Sequence, residues 1–425
     1  MNYEQTLDFI HSRTRYGSRL GLFRMERVLE LMGNPHKELK FIHIAGTNGK
    51  GSTTAMTAEI LKTQGYKVGM YISPYVVDFR ERMQINNQLI PKERLAETLT
   101  KIMPYLEILD QEETPITEFE LDTVLAIQYF YDEKCDFVVF EVGLGGRFDA
   151  TNIIDAPVVA SIGKIAYDHV DILGDTIKKI AFEKCGIIKK GCRVVSYPLQ
   201  ENDAKWMIED TCKMLHIKGN FGDLTQLENV SWNDNGAKYT YKGEDYEIGL
   251  VGEHQIYNSI TVLSIIEEMR AAGVEISQES VVKGLKNARF GGRLEEVCKN
   301  PSCIIDGAHN PDGVEVLCKT IDKVYKPKKI ITVMGMLGDK DFKNCVKEVA
   351  GRSDVYVITV PDNPRAATPE AIYEIAKDHC KEIYIKEVPY EAAKFAKSIA
   401  GKDDIVIACG SLYMIGEAKK AFEEN

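Results

Sequence analysis

The chain has no paired Cys-x-x-Cys motif. Its ten cysteines are scattered singly, which argues against a zinc knuckle or a disulfide framework and leads us to expect free thiols in a reducing compartment. It lacks any apolar run long enough to cross a bilayer, and its first thirty residues lack the basic start and apolar core of an export signal. A cytoplasmic protein with no membrane partner is expected. It also lacks an excess of positive charge: the formal net charge is −11, and phosphate backbones are held by basic surfaces, so general nucleic-acid binding is not expected. A local basic pocket survives that argument. Arg13, Arg15, Arg19, Arg24 and Arg27 crowd the N-terminal segment and either face an anionic ligand or form a solvated helix face. Internal repeats and low-complexity tracts are missing as well. What is present is an ordinary globular balance, 44% hydrophobic and 28% charged, with length enough for two cores and hence two domains.

The apolar run Phe41 to Ala45 is followed by glycines and then by Ser52 to Lys62, whose composition suits a helix. Val68 to Ile72 and Phe137 to Val142 read as further strands, with a helix over Glu118 to Glu133 between them. Strands alternating with helices predict a mostly parallel sheet covered on both faces, in which ligands gather at the carboxyl ends of the strands. From Lys218 to Leu250 polar and aromatic residues alternate, which predicts a small antiparallel excursion before a helical pattern resumes at His254. Two glycines within Arg289 to Glu295 mark a domain junction. Beyond it, Cys303 to Asp306, Ile330 to Met334, Val355 to Val360, Glu382 to Val388 and Asp404 to Cys409 are strand-sized runs separated by helix-length segments. The expected fold is α/β. Residues 1–294 form a P-loop ATPase-type domain, mostly parallel with a small antiparallel region, and residues 295–425 a smaller open-sheet domain.

Gly46, Thr47, Asn48, Gly49, Lys50, Gly51 and Ser52 lie between a strand and a helix. Backbone N–H groups exposed by glycines, with a helix N-terminus behind them, surround phosphate oxygens, and Lys50 adds a point charge toward the outer phosphates. This is a nucleotide-triphosphate loop. It departs from the general pattern, which places Ser or Thr directly after the lysine, where this chain has Gly51. Glu141 ends an apolar strand, the usual place for an acid that holds Mg²⁺ against the β and γ phosphates. The run from Glu141 to Asn152 then supplies three glycines, an arginine and an acid in one loop. His169 and Lys184, each unremarkable alone, follow in DHVD and FEKCGIIK. In the second half, Asp306-Gly307-Ala308-His309-Asn310-Pro311 and Gly410-Ser411-Leu412-Tyr413 each follow a strand. These clusters predict an active site in the cleft between the domains.

The ordered set GTNGKGS, Ser73-Pro74, EVGLGGRFDATN, DHVDILG, FEKCGIIK, GEHQIYNS, GGRLE, DGAHNP and GSLY resembles folylpolyglutamate synthase of the Mur ligase superfamily, over nearly the whole chain. The resemblance implies an ATPase-type domain and a Rossmann-like C-terminal domain. It implies an ATP-dependent amide ligase that adds L-glutamate to the γ-carboxylate of reduced folates through an acyl phosphate. By position, Gly49, Lys50, Gly51 and Ser52 are implied to hold the triphosphate, and Asn258, Arg293 and Asp306 to complete the nucleotide site. Ser73, Glu141 and His169 fall on the family's magnesium positions. Lys184 falls on a lysine that is carbamylated in these ligases, and Arg82, His309 and Ser411 on positions that handle the glutamate substrate. The implied cofactors are ATP and Mg²⁺, with a carbamate on Lys184 and a monovalent cation as further family features. The implied partners are small molecules (reduced folate, glutamate and ATP), and the implied state is a monomer.

Bifunctional members, which also join dihydropteroate to glutamate, usually have histidine after the Ser-Pro, where this chain has Tyr75. Elongation is therefore expected as the main activity, with added dihydrofolate synthase activity as the alternative. A cell-wall ligase is not expected, because such enzymes place a further domain before the phosphate loop, which here begins at Gly46. A P-loop switch or a small-molecule kinase leaves His309 and Ser411 without a role.

Overall fold

The strand Phe41–Ala45 lies at the centre of the larger of two parallel-type sheets, where all five of its residues are buried. The computed structural model describes residues 1–425 apart from positions 18, 20, 326 and 425. In the eight-stranded sheet Gln88–Leu89, Met83–Ile85, Val68–Tyr71 and Phe137–Glu141 lie on one side of Phe41–Ala45. Val159–Ile162, Arg193–Ser196 and Gly219–Asn220 lie on the other. Only the first two pair antiparallel. The chain leaves Phe41–Ala45 for one side of the sheet and later returns to the other, so a crevice opens at the carboxyl end of that strand, the expected ligand position.

Helices Lys50–Gln64 and Glu253–Ala271 bury Met56, Ile60, Ile260 and Ile265 against one face, and Lys92–Gln111 and Glu118–Asp132 bury Leu99, Leu121 and Leu125 against the other. Burial from both sides explains why the strands read as unbroken apolar runs. Helix Glu118–Asp132 begins with a capping box. Thr117 Oγ1 accepts from the Glu120 N–H at 3.3 Å, and the Glu120 carboxylate accepts from the Thr117 N–H at 2.8 Å. The antiparallel excursion is a three-stranded sheet, Leu227–Asn233, Gly236–Tyr241 and Glu244–Ile248. The alternate residues Ala237, Tyr239, Tyr241, Tyr246 and Ile248 face the first of these cores.

The second sheet runs Glu295–Cys298, Ser302–Ile305, Ile405–Cys409, Ile330–Met334, Val355–Ile358 and Glu382–Ile385, parallel except for its first strand. Two of its strands stop earlier than their apolar runs suggest. After Ile358 and Ile385 the chains turn, the Val360 N–H donating to the Glu387 carbonyl at 3.0 Å, and Pro389 then opens the next helix. Among the described residues no helix is long and apolar enough to cross a membrane.

The N-terminal arginines match neither sequence expectation as a group. Arg13 and Arg24 are 3% and 2% exposed, and they pair with Asp110 at 2.6 Å and Glu120 at 2.9 Å. Arg27 pairs with Glu112 at 2.7 Å. These contacts tie the first helices to Lys92–Gln111 and Glu118–Asp132, and truncating one partner of such a buried pair leaves an uncompensated charge.

Candidate active site

Helix Lys50–Gln64 starts two residues before its apolar pattern, because Gly49 takes the N-cap position at φ +82°, a left-handed conformation that favours glycine. A Cβ there would lie 2.5 Å from Asn258 Oδ1. A Cβ on Gly51 would lie 2.4 Å from the Phe290 ring, which gives the physical reason for glycine where the general pattern has a hydroxyl side chain. The loop is fixed from the neighbouring strand: the N–H groups of Thr47 and Asn48 both donate to the Lys164 carbonyl, at 2.8 and 3.2 Å. Lys50 Nζ folds back onto the carbonyls of Gly46 and Thr47 at 3.1 and 3.2 Å, and burial lowers its pKa.

Glu141 pairs in register with Ile44, so its carboxylate stands beside the phosphate loop. It is buried, Oε2 has no hydrogen-bond partner among the described residues, and burial pushes the carboxyl up to about 7, with Lys50 and Arg293 opposing. Lys184 reaches the same loop from helix Ile177–Cys185 and donates to the Gly46 carbonyl at 2.9 Å. Burial, then the Lys50 charge, bring its amine down to about 7. Gln255 Nε2 donates to Ser52 Oγ at 3.1 Å and Asn258 Nδ2 to Gln255 Oε1 at 3.0 Å, so helix Glu253–Ala271 presents an amide pair to the start of the phosphate-loop helix.

The second sheet supplies the opposite wall. Asp306 accepts from the N–H groups of Leu294 and Ala308 at 2.8 and 2.7 Å, and burial raises its pKa against the pull of Arg293. Asn48 Nδ2 donates to Asp312 at 2.7 Å, and Asn310 Nδ2 donates to Asn48 Oδ1 at 3.1 Å. Lys164 pairs with Asp312. Asp168 is the densest crossing point. Lys340 Nζ lies 2.5 Å from its Oδ1, and His309 Nε2 lies 3.4 Å from its Oδ2. Despite burial, His309, Lys340 and His169 hold the Asp168 carboxyl well below the usual range. Lys340 also meets His169 Nε2 at 2.8 Å, and burial brings the His169 imidazole down to about 4. The His169 backbone has φ +49°, a conformation uncommon outside glycine.

A cavity of about 190 Å³ brings together residues 46–52, Ser73, Glu141, His169, Lys184, Asn258, Arg293, Asp306 and His309. It shares Ser73, Glu141, Arg293 and Leu412 with a wider cleft of about 690 Å³. Arg82 and Ser411 lie outside its wall: Arg82 is 3.6 Å from buried Asp122, and Ser411 Oγ accepts from the Tyr413 N–H to cap the last helix. Among the described residues no three His, Cys, Asp or Glu side chains converge as a metal site. Sequence reading passed over Lys340, although Gly338-Asp339-Lys340-Asp341 follows a strand as Asp306 does. It also passed over Asp312, just after DGAHNP, and Gln255, within GEHQIYNS, from which only Asn258 was singled out.

Two family profiles match the chain: the Mur ligase middle domain over residues 44–266, and the Mur ligase, glutamate ligase domain over residues 292–412. The chain is 35% identical to the dihydrofolate synthase/folylpolyglutamate synthase of Bacillus subtilis, over 98% of each. It is 33% identical to the folylpolyglutamate synthase of Lacticaseibacillus casei, over 99% of this chain and 98% of the relative. Its fold is similar to that of Mycobacterium tuberculosis folylpolyglutamate synthase complexed with ADP and AMPPCP, with a TM-score of 0.91, 28% identity and full coverage of both chains.

Proposed function

The chain belongs to the Mur ligase family and is an ATP-dependent ligase of the folylpolyglutamate synthase kind, and we propose that it lengthens reduced folates through an acyl phosphate on their γ-carboxylate. The observation that carries this reading is the meeting, around one cavity, of the phosphate loop and Glu141 from one sheet with Asp306 and His309 from the other, beside the Lys340–Asp168 ion pair. A switch or motor has no need of the second wall.

The folate γ-carboxylate attacks the ATP γ-phosphorus, ADP leaves, and the glutamate amine then displaces phosphate from the acyl carbon and loses a proton. Gly46 to Ser52 supply N–H groups to the triphosphate, and Lys50 exchanges its loop carbonyls for phosphate oxygens as charge gathers there. Asn258, Arg293 and Asp306 complete the nucleotide site. His309 and Ser411, with Arg82, handle the carboxylates of the glutamate-bearing substrates. Holding residues 1–294 and 295–425 together as two domains around the cavity excludes water from the acyl phosphate.

Mg²⁺ fits these residues. Glu141 offers a buried oxygen without a partner, a position that a hard cation satisfies, and Ser73 and His169 line the same cavity. His169 joins that set once Lys340 leaves its Nε2. When bound, the ion neutralises the β and γ phosphates. Lys184 fits carbamylation, because an amine brought down to about 7 is substantially neutral near neutral pH, the form that adds CO₂ and releases a proton. A monovalent cation, a monomeric state and a cytoplasmic location complete the proposal.

The B. subtilis relative, with both activities in its name, favours added dihydrofolate synthase activity as a second reading. Tyr75, whose ring meets Phe79 at 5.9 Å, stands where that reading expects histidine. Incubation with Mg²⁺ATP, glutamate and either tetrahydrofolate or dihydropteroate, followed by product mass, tests both. Ligation of the reduced folate alone is the expected result, ligation of both establishes the second reading, and ATP hydrolysis without any amide contradicts the proposal.

A further inference from the structure

Arg82 closes the short turn Phe79–Arg82 with its guanidinium 5.3 Å from the Tyr75 ring centre and 5.7 Å from that of Phe79. Its side chain is 13% exposed. Nε is the buried end, 3.6 Å from Asp122 Oδ2, and no hydrogen bond joins the guanidinium to another described residue. The terminal nitrogens are thus the end left free, beside two aromatic rings. Arg82 stands outside the wall of the cavity that holds Asp306 and His309.

Asp122 is hard to explain by stability. It lies one turn into helix Glu118–Asp132 at 1% exposure, and neither carboxylate oxygen has a hydrogen-bond partner among the described residues. Its titratable neighbours come from three other elements and its own: Arg82 opposite, Glu118 on the same helix, His11 on the first helix and the neutral phenol of Tyr71 on the adjacent strand. The capping of this helix belongs to Thr117 and Glu120, and its core contacts belong to Leu121, Val124 and Leu125. A buried carboxylate without hydrogen bonds costs stability that an apolar side chain of similar size would not. What Asp122 does contribute is a buried carboxyl 3.6 Å behind a guanidinium that is otherwise unanchored; burial raises its pKa to about 7, and the Arg82 charge opposes that shift.

We propose that Asp122 is a positioning residue for the ligase reaction, holding Arg82 against the Tyr75 and Phe79 rings with its terminal nitrogens presented as a fork for a carboxylate of the folate acceptor. A guanidinium fork matches a carboxylate with two parallel hydrogen bonds, but only when its plane is fixed. The two adjoining rings suit a flat aromatic acceptor better than free glutamate. Asp122 acts through Arg82 and does not itself touch substrate. The inference rests on the ligase reading above.

The test is steady-state kinetics on Asp122→Asn, Arg82→Ala and the double variant, with thermal unfolding of each. Asp122→Asn is expected to raise the KM for the reduced folate roughly tenfold, with kcat within about twofold and the KM values for ATP and glutamate unchanged. Arg82→Ala should raise the folate KM at least as far, and the double variant should be no worse than Arg82→Ala alone. The Tm of Asp122→Asn is expected to fall modestly, because the Arg82 charge loses its buried partner, so the readout that a merely structural role would not give is a rise confined to the folate KM. A folate KM within twofold of native, losses that multiply in the double variant, a rise in glutamate KM instead, or a fall in Tm together with kcat would each overturn the inference. An inactive native chain would overturn the ligase reading and this inference together, whereas an active native chain with an unaffected Asp122→Asn overturns this one alone.

Discussion

Lys340, from the loop after strand Ile330–Met334, places its Nζ 2.5 Å from Asp168 Oδ1 and 2.8 Å from His169 Nε2. The two charged side chains are 6% and 9% exposed, so the ion pair is a buried tie between the two sheets that bound the cavity. Its value lies in closure rather than in net stability, since desolvation offsets much of the attraction in buried pairs.

Lys340→Ala should therefore cut kcat/KM by about 10²-fold or more, through lost positioning, while far-UV circular dichroism stays native. Small-angle scattering of the variant should show a larger radius of gyration. A variant as compact and as active as the native chain would show that the tie does not govern closure.

Glu141→Ala should abolish turnover and leave the fold intact. Its carboxyl, pushed up to about 7 by burial, is more easily protonated in the folded than in the unfolded chain. The stability this group contributes is fully present below its unfolded pKa and is lost as pH rises through about 7. Removing it should thus raise Tm more at pH 8 than at pH 5, read by calorimetry without nucleotide. Near-native activity would remove Glu141 from the metal set.

Lys184→Ala should lower activity, and a short carboxylic acid in solution should restore part of it. The native amine, at about 7, is protonated as pH falls through that value, so exchange into CO₂-free buffer should inactivate the enzyme more readily at pH 6 than at pH 8. Added bicarbonate should reverse the loss. An alanine variant that ligates normally contradicts the carbamate.

Gly51→Ala should cost about 1–3 kcal/mol through overpacking against Phe290 and weaken ATP binding, and Phe290→Leu should relieve much of both effects. Additive losses in the double variant, measured by denaturant unfolding and ATP titration, would mean that the ring is not the obstacle.

The strands of both sheets were legible because burial on two faces writes them as short apolar runs, as at Phe41–Ala45 and Ile405–Cys409. The small antiparallel sheet was legible from its alternation, with Tyr239, Tyr241 and Tyr246 inward. Phosphate-loop residues announced themselves through glycines between strand and helix. What was not legible is pairing between distant charges. Asp168 and Lys340 are 172 positions apart, and Arg82 and Asp122 belong to different elements, so neither spacing nor periodicity records that they meet. Arg13, Arg24 and Arg27 were misread for the same reason, because their partners Asp110, Glu120 and Glu112 lie 97, 96 and 85 positions away.

The central claim is that the folate carboxylate is activated as an acyl phosphate, and oxygen transfer tests it most directly. A reduced folate labelled with oxygen-18 in its γ-carboxylate is incubated with Mg²⁺ATP and glutamate, and the released phosphate is analysed by mass. The account predicts one labelled oxygen in phosphate for each amide formed. Amide formation with unlabelled phosphate would contradict it.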